Sequence, residues 1–430
     1  MKLHAMHVGR VTHASSGELT AILPDAPLGA IICIHRGDMP ALYAEVIAIR
    51  EERVTLAPWS DPHGVYVGAT ATMVGDRPPS LTLDGVGGRV LNPHGIDIYD
   101  GSDLRCSTPT LLSTSFASRI ASKEALRTGL RSIDMLLPLV RGQRVGVFAG
   151  AGVGKTTLLT QLAQQVEASR VIIILIGERG REAVALANEL QALDMWERTT
   201  LIVSTSEDPA ALRNRAAWAG MELAQRARAN GEHVLLLVDS LTRWVRAKRD
   251  LALQAGERAA RAGFPPSAFA AMAPLIEAAG AQKQGSITAL FTVLLEADAM
   301  EDPIGDEARG LVEAHWILER RLAQRGIFPA IHVPSSLSRL AKDALNEPQY
   351  VVHQRLREAY AALDELQEAE RFGLYQQGND PKLDRIYPLQ DALWQFLQQG
   401  QNERAPWEQT QAQALELFHA LEAPLSEHRL

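Results

Sequence analysis

Between residues 144 and 163 the chain carries a pattern that few folds can accommodate. Arg144-Val145-Gly146-Val147-Phe148 reads as a strand and runs straight into Ala149-Gly150-Ala151-Gly152-Val153-Gly154-Lys155-Thr156. Thr157-Leu158-Leu159-Thr160-Gln161-Leu162-Ala163 then has the composition of a helix. Strand, glycine-rich turn, Gly-Lys-Thr and helix make up the P-loop arrangement. Glycines let backbone N–H groups converge on phosphate oxygens, and the helix N-terminus adds its partial positive charge. Gly150, Ala151, Gly152, Val153, Gly154, Lys155, Thr156 and Thr157 are therefore expected to cradle a nucleoside triphosphate. Lys155 would neutralise the β- and γ-phosphates and the Thr156 hydroxyl would ligate Mg²⁺. The strict pattern has glycine at 149, where this chain has alanine. Alanine serves there if it keeps a negative φ, with Gly150 and Gly152 supplying freedom nearby.

Three near-continuous apolar runs, 171–176, 234–238 and 287–295, have the character of parallel strands covered on both faces. Between them lie stretches such as 182–193 and 210–230, rich in Ala, Leu, Glu and Arg, which read as helices. Two of the runs end on carboxylates. Gly177-Glu178-Arg179-Gly180-Arg181-Glu182 follows the first and Asp239-Ser240-Leu241-Thr242-Arg243 the second. In an open parallel sheet the ligand sits beyond the carboxyl ends of the strands, so both acids are expected to serve the phosphates. Asp239 suits the carboxylate behind Mg²⁺, and Glu178 the group that orients and polarises the attacking water. A single acid at a strand end is more often a helix cap or a surface charge. Two of them, each after a buried strand downstream of a P-loop, favour function.

The motif sits in the middle of a three-part chain. Residues 1–75 read as short strands (18–23, 30–34, 44–49, 53–57 and 69–74) separated by turn residues, the pattern of a small antiparallel barrel. Gly75-Asp76-Arg77-Pro78-Pro79 reads as a linker into an α/β domain over 76–345. The tail, 346–430, is rich in Gln, Glu, Leu and Ala and reads as helical. The net charge of −8 and the lack of a basic cluster in the N-terminal part argue against a nucleic-acid partner. Two cysteines, Cys33 and Cys106, are too few for a disulfide framework and fit a reducing compartment. The N-terminus shows no signal-peptide run, and no stretch approaches the roughly 18 apolar residues a membrane span needs, so a cytoplasmic protein is expected.

Taken together, these blocks resemble the catalytic subunits of rotary ATP synthases and their relatives in type III export, the flagellar and injectisome ATPases. The resemblance runs from Gly88-Arg89-Val90-Leu91 to the tail's Tyr375-Gln376-Gln377-Gly378-Asn379-Asp380-Pro381. It includes Thr128-Gly129-Leu130-Arg131-Ser132-Ile133-Asp134 ahead of the P-loop strand. Gly256-Glu257 followed by Gly263-Phe264-Pro265-Pro266-Ser267-Ala268-Phe269 looks like the interface loop of the export class. The Glu178 and Asp239 segments and Ala149 also look like export ATPases rather than synthase subunits. Ser336-Leu337-Ser338-Arg339 and Met300 lean towards the injectisome branch over the flagellar one.

The resemblance implies a RecA-like P-loop core, an N-terminal barrel that serves assembly, and a homohexamer that hydrolyses Mg-ATP. Glu178 would be the catalytic acid, with Arg179 and Arg243 lining the nucleotide site. Phe328, in Ile327-Phe328-Pro329-Ala330-Ile331, would pack on adenine, although a buried core aromatic is the alternative there. Arg339 would be the arginine finger supplied by a neighbouring subunit. Implied partners are a stator-like regulator, a central stalk, chaperone–effector complexes and a membrane export gate, which would hold the protein peripherally at the inner-membrane apparatus. A synthase subunit, an RNA-binding terminator-like hexamer and a non-catalytic regulatory subunit are the competing readings. The chain departs from the family in two places. Gly-Asp-Asp-Met appears as Ala297-Asp298-Ala299-Met300, in the run expected to face the stalk, and Ile-Leu-Asp-Gly-His as Leu311-Val312-Glu313-Ala314-His315.

Overall fold

A computed structural model describes residues 7–15, 17–106, 116–295 and 302–423. The altered run Ala297-Asp298-Ala299-Met300 lies outside the described residues. The chain forms two compact units. One comprises Met1–Thr114, Arg170–Asn230 and Val238–Ala278, the other Ser115–Ser169, Gly231–Leu237 and Ala279–Leu430.

The first unit begins with six strands: β1 (Val8–Ala14), β2 (Leu19–Ile22), β3 (Ile31–Arg36), β4 (Met39–Arg50), β5 (Arg53–Pro58) and β6 (Thr70–Gly75). They close into an antiparallel barrel in the order β1-β2-β5-β4-β3-β6. Alternation fills it: on β4, Leu42, Ala44 and Val46 point inward while Tyr43 is exposed. Closure leaves no free sheet edge, which a barrel this small needs. β1 was not among the expected strands, because Val11 is its only buried residue and its alternation is too faint to read. On the barrel's outside, Ala57 packs with Ala211 and Leu251, flanked by Ile47 and Trp59. These contacts fasten the barrel to the helices Ala210–Ala229 and Leu241–Gln254 of the same unit. The unit's parallel strands are Arg170–Glu178, Thr199–Thr205 and Arg89–Leu91, paired in that order.

In the second unit the P-loop strand, Arg144–Ala149, lies between two parallel neighbours, Ser286–Leu294 and Ala314–Leu318. Ala149 pairs with Leu294 on one side and Leu318 on the other, so the three strands end at one level. The short strand Leu337–Ser338 pairs antiparallel with Ala314–Leu318. Helices follow: Glu347–Arg371, Pro381–Ile386, Gln390–Leu397 and Trp407–Glu422. The first has a full capping box, in which the Asn346 side chain accepts from the Gln349 N–H and the Gln349 side chain from the Asn346 N–H. Within the block ahead of the P-loop strand, buried Asp134 accepts from the Thr128 N–H (2.7 Å), the Thr128 hydroxyl (2.8 Å) and the Gly129 N–H (3.0 Å). Those three bonds brace the turn that leads into the helix Arg131–Leu136. Among the described residues no helix is long and apolar enough to cross a membrane.

Candidate functional site

The glycine-rich loop forms as its residues require. Ala149 is the last residue of its strand, and neither it nor Ala151 has a positive φ, so alanine costs nothing there. The left-handed positions are Gly152 (φ +74°) and Gly154 (φ +91°), where a side chain would be strained. Gly154 is the N-cap of the helix Lys155–Gln165. Val153 is buried beneath the loop, Lys155 is half-buried, and Ala151, Gly152 and Thr156 are exposed. One partner was not legible in the sequence: Arg320, just beyond the neighbouring strand Ala314–Leu318, donates to the Ala151 carbonyl at 2.8 Å.

Phe328 stands over this loop. A Cβ on Gly154 would sit 3.7 Å from its ring, and the residue is 43% exposed, which rules out the core-aromatic alternative. Beside it opens a cavity of about 350 Å³ whose walls include Gly154, Thr157, Gln161, Phe328, Gln398 and Gln401. That is the small end of the range for small-molecule sites and leaves room for a purine stacked on an aromatic ring. The far wall, 398–401, was also missed, because nothing local marks it. Arg339 follows the edge strand and is exposed, its N–H bonded to the Glu313 carbonyl at 3.0 Å.

The carboxylates belong to the other unit. Glu178 ends the strand Arg170–Glu178, after a bulge between Ile176 and Glu178 in its pairing with Thr199–Thr205. Gly177 within the bulge has φ +68°, and bulges re-aim the next side chain. Glu178 is 8% exposed, and its Oε2 lies 3.1 Å from Arg243 Nη1, which also donates to the Gly177 carbonyl. Asp239 ends the strand His233–Asp239 and is 3% exposed. The next residue, Ser240, caps the helix Leu241–Gln254, its hydroxyl accepting from the Arg243 N–H at 3.3 Å. The structure thus brings Glu178 and Arg243 together as a buried acid with its guanidinium. Arg179, by contrast, is exposed, with Glu182 at 3.7 Å.

A glycine cradle at a helix N-terminus, an aromatic over it, and buried carboxylates ending two strands define a P-loop nucleoside triphosphatase. Residues 129–338 match the ATP synthase alpha/beta family, nucleotide-binding domain, and 345–416 match the T3SS EscN ATPase C-terminal domain. A type 3 secretion system ATPase of Pseudomonas syringae pv. syringae is 36% identical over 424 residues, 96% of this chain and 94% of the relative. A flagellum-specific ATP synthase of Salmonella typhimurium is 37% identical over 426 residues, 95% of this chain and 93% of the relative. The assembled ATPase EscN from the enteropathogenic E. coli type III secretion system superposes with a TM-score of 0.88 at 33% identity, covering 96% of this chain and 100% of the chain in that structure. EscN in complex with its central stalk EscO superposes with a TM-score of 0.83. The chain belongs to the family of type III secretion and flagellar export ATPases, within the ATP synthase alpha/beta family, and is an ATP-hydrolysing enzyme of that family.

Proposed function

We propose that this chain is the Mg-ATP-driven motor of a type III protein secretion system of the injectisome kind, working as a homohexamer with one nucleotide site per subunit boundary. The observation that carries the reading is the Phe328 ring over Gly154, beside a cavity that opens next to the P-loop. Lys155 neutralises the β- and γ-phosphates, and backbone N–H groups of 150–157 hold them in place. Thr156 and Asp239 are the residues that would hold Mg²⁺, which would supply charge neutralisation on those phosphates. Glu178 takes the role of orienting and polarising the water, kept in position by Arg243. Arg179 and Arg243 line the nucleotide site. Arg339, exposed beyond its edge strand, is available to act on a neighbouring subunit's nucleotide.

The assembled state of EscN and its complex with EscO support an oligomer with a central-stalk partner here as well. In this reading residues 1–75 serve assembly, 76–345 hydrolysis and 346–430 the handling of partners. A stator-like regulator, chaperone–effector complexes and the membrane export gate are the remaining partners. Nucleic acid is not among them, and the work is done in the cytoplasm at the inner-membrane apparatus. A flagellar role is the second reading, favoured by the equal similarity to a flagellum-specific relative.

The test pairs chemistry with physiology. Glu178→Gln should bind ATP with affinity close to that of the unaltered protein while turnover falls about 10²- to 10⁴-fold. Unaltered turnover would remove Glu178 from the chemistry. Replacing the chromosomal copy with Glu178→Gln should abolish effector secretion and leave swimming intact, whereas lost swimming with normal secretion selects the flagellar reading.

A further inference from the structure

The segment after the helix Gln390–Leu397 has no regular structure of its own, yet it forms the far wall of the cavity beside Phe328. A wall without its own hydrogen-bond ladder must be held from outside, or it is the softest part of the pocket. The clamp comes mainly from one buried cation. Arg131, 7% exposed, donates through Nε to the Phe396 carbonyl (2.8 Å), through Nη2 to the Gln398 carbonyl (2.6 Å) and through Nη1 to Glu403 Oε1 (2.8 Å). Its backbone N–H, a donor in the first turn of its helix, is taken by Gln399 Oε1 at 2.6 Å. Gln399, 3% exposed, returns two bonds: Nε2 to the Gly129 carbonyl (2.9 Å) and its N–H to the carbonyl of Phe328 itself (2.7 Å). Glu403 closes the loop on itself, its second oxygen accepting from the Gly400 N–H at 3.0 Å.

Burying a guanidinium is costly unless its donors are satisfied, and only arginine's fork can span three acceptors along one irregular segment. These bonds tie the wall segment to the helix that starts at Arg131, and through Gln399 to the backbone of Phe328, which lines the same cavity. Other bonds link the same wall to the P-loop helix, through Gln161 Nε2 to the Gln401 carbonyl at 2.7 Å.

We infer that Arg131 and Gln399 are positioning residues that set the spacing between Phe328 and the 398–401 wall. ATP's base, and with it the affinity for ATP, depends on them, while the phosphate chemistry does not. The inference rests on the nucleotide-site reading above, and its test separates the two.

Purified full-length Arg131→Met and Gln399→Met are assayed for ATP turnover and for competitive inhibition by Mg-tripolyphosphate, which carries the phosphates without a base. Losing the stacking alignment should raise KM for ATP roughly 2- to 10-fold. kcat should stay within about twofold, and the inhibition constant of tripolyphosphate should not move. Arg131→Lys, which keeps the charge near Glu403 but not the fork, should fall between. A tripolyphosphate constant that rises in step with KM would make the clasp a general structural brace and overturn the inference, as would an unchanged KM. Phe328→Ala is run beside them. If it too leaves KM unchanged, the base pocket itself fails and the inference with it. If it raises KM while the two clasp variants do not, only the positioning role is lost. Should Arg131→Met not fold, Gln399→Met carries the same expectations alone.

Discussion

Gly177→Ala tests whether the bulge before Glu178 is built for the chemistry or merely tolerated. At φ +68° an alanine Cβ costs about 1–2 kcal/mol of backbone strain. The same Cβ would stand 3.2 Å from Arg243 Cδ, 3.5 Å from Arg243 Cβ and 3.6 Å from Arg213 Cδ. Strain alone can be absorbed by stability, but the first contact cannot be relieved without moving Arg243. Moving Arg243 disturbs both its bond to the Gly177 carbonyl and its 3.1 Å pairing with Glu178. A catalytic group misplaced by 1 Å can lose on the order of 10²-fold in rate, so a shift of a few tenths should lower kcat about tenfold. The control is Gly231→Ala, where φ is +89° but the Cβ meets open space. Both variants should lose comparable stability in urea unfolding, while only Gly177→Ala loses kcat in a coupled ATPase assay at saturating ATP. Full kcat in Gly177→Ala despite its lost stability, or an equal kcat loss in Gly231→Ala, refutes the reasoning.

Two further outcomes are expected. Arg339→Ala and Lys155→Ala should each be inactive, the second also binding nucleotide poorly, and mixed rings of the two should recover part of the activity because some boundaries then join an intact P-loop to an intact finger. No recovery in rings shown by native mass spectrometry to be mixed would remove Arg339 from the neighbouring site. The second outcome concerns pH. His94, its ring centroid 3.9 Å from that of Trp59, is held at about 4, below the ordinary 6.5, first by burial and then by Arg215 and Arg105. Between those values the unfolded chain binds a proton that the folded chain refuses, so stability falls as pH is lowered through that window, by at most about 1.4 kcal/mol per unit from this group. His94→Phe, which keeps the ring against Trp59, should flatten the loss of urea midpoint between pH 6.5 and 4.5, and an unchanged slope would show that His94 does not govern it.

Much of the fold could be read from the chain, and the gaps have physical causes. The apolar runs at 171–176, 234–238 and 287–295 became Arg170–Glu178, His233–Asp239 and Ser286–Leu294, because strands buried on both faces leave no room for polar residues. Thr199–Thr205 escaped notice although it is buried almost throughout. Its threonines look polar in a list of residues, but the Thr199 hydroxyl donates to the Met195 carbonyl and that of Thr200 to the Val86 carbonyl, both at 2.9 Å. With those bonds made, what each presents to its surroundings is a methyl group. Ala314–Leu318 was missed for a different reason: it is five residues long and contains His315, whose ring lies edge-on to Phe148.

The site divides along the same line between local and distant information. A P-loop is contiguous, so Gly152, Gly154, Lys155 and Thr156 announce themselves, and Glu178 and Asp239 follow from standing where buried strands stop. What completes the cradle comes from far along the chain and leaves no pattern there. Arg320 reaches Ala151 across 169 positions, and Arg131 meets Gln399 across 268. Each is an ordinary arginine in its own neighbourhood, one at the start of a short helix and the other in a block that reads as a brace. Motifs therefore point to the groups proposed to handle phosphate, whose chemistry demands particular residues at fixed spacing. In the proposed nucleotide site the base would be held by shape, and shape can be assembled from any segments the fold brings together. That asymmetry is why the clasp of Arg131 and Gln399 had to be found in three dimensions, and why its loss should appear in the affinity for ATP and not in the affinity for bare phosphates.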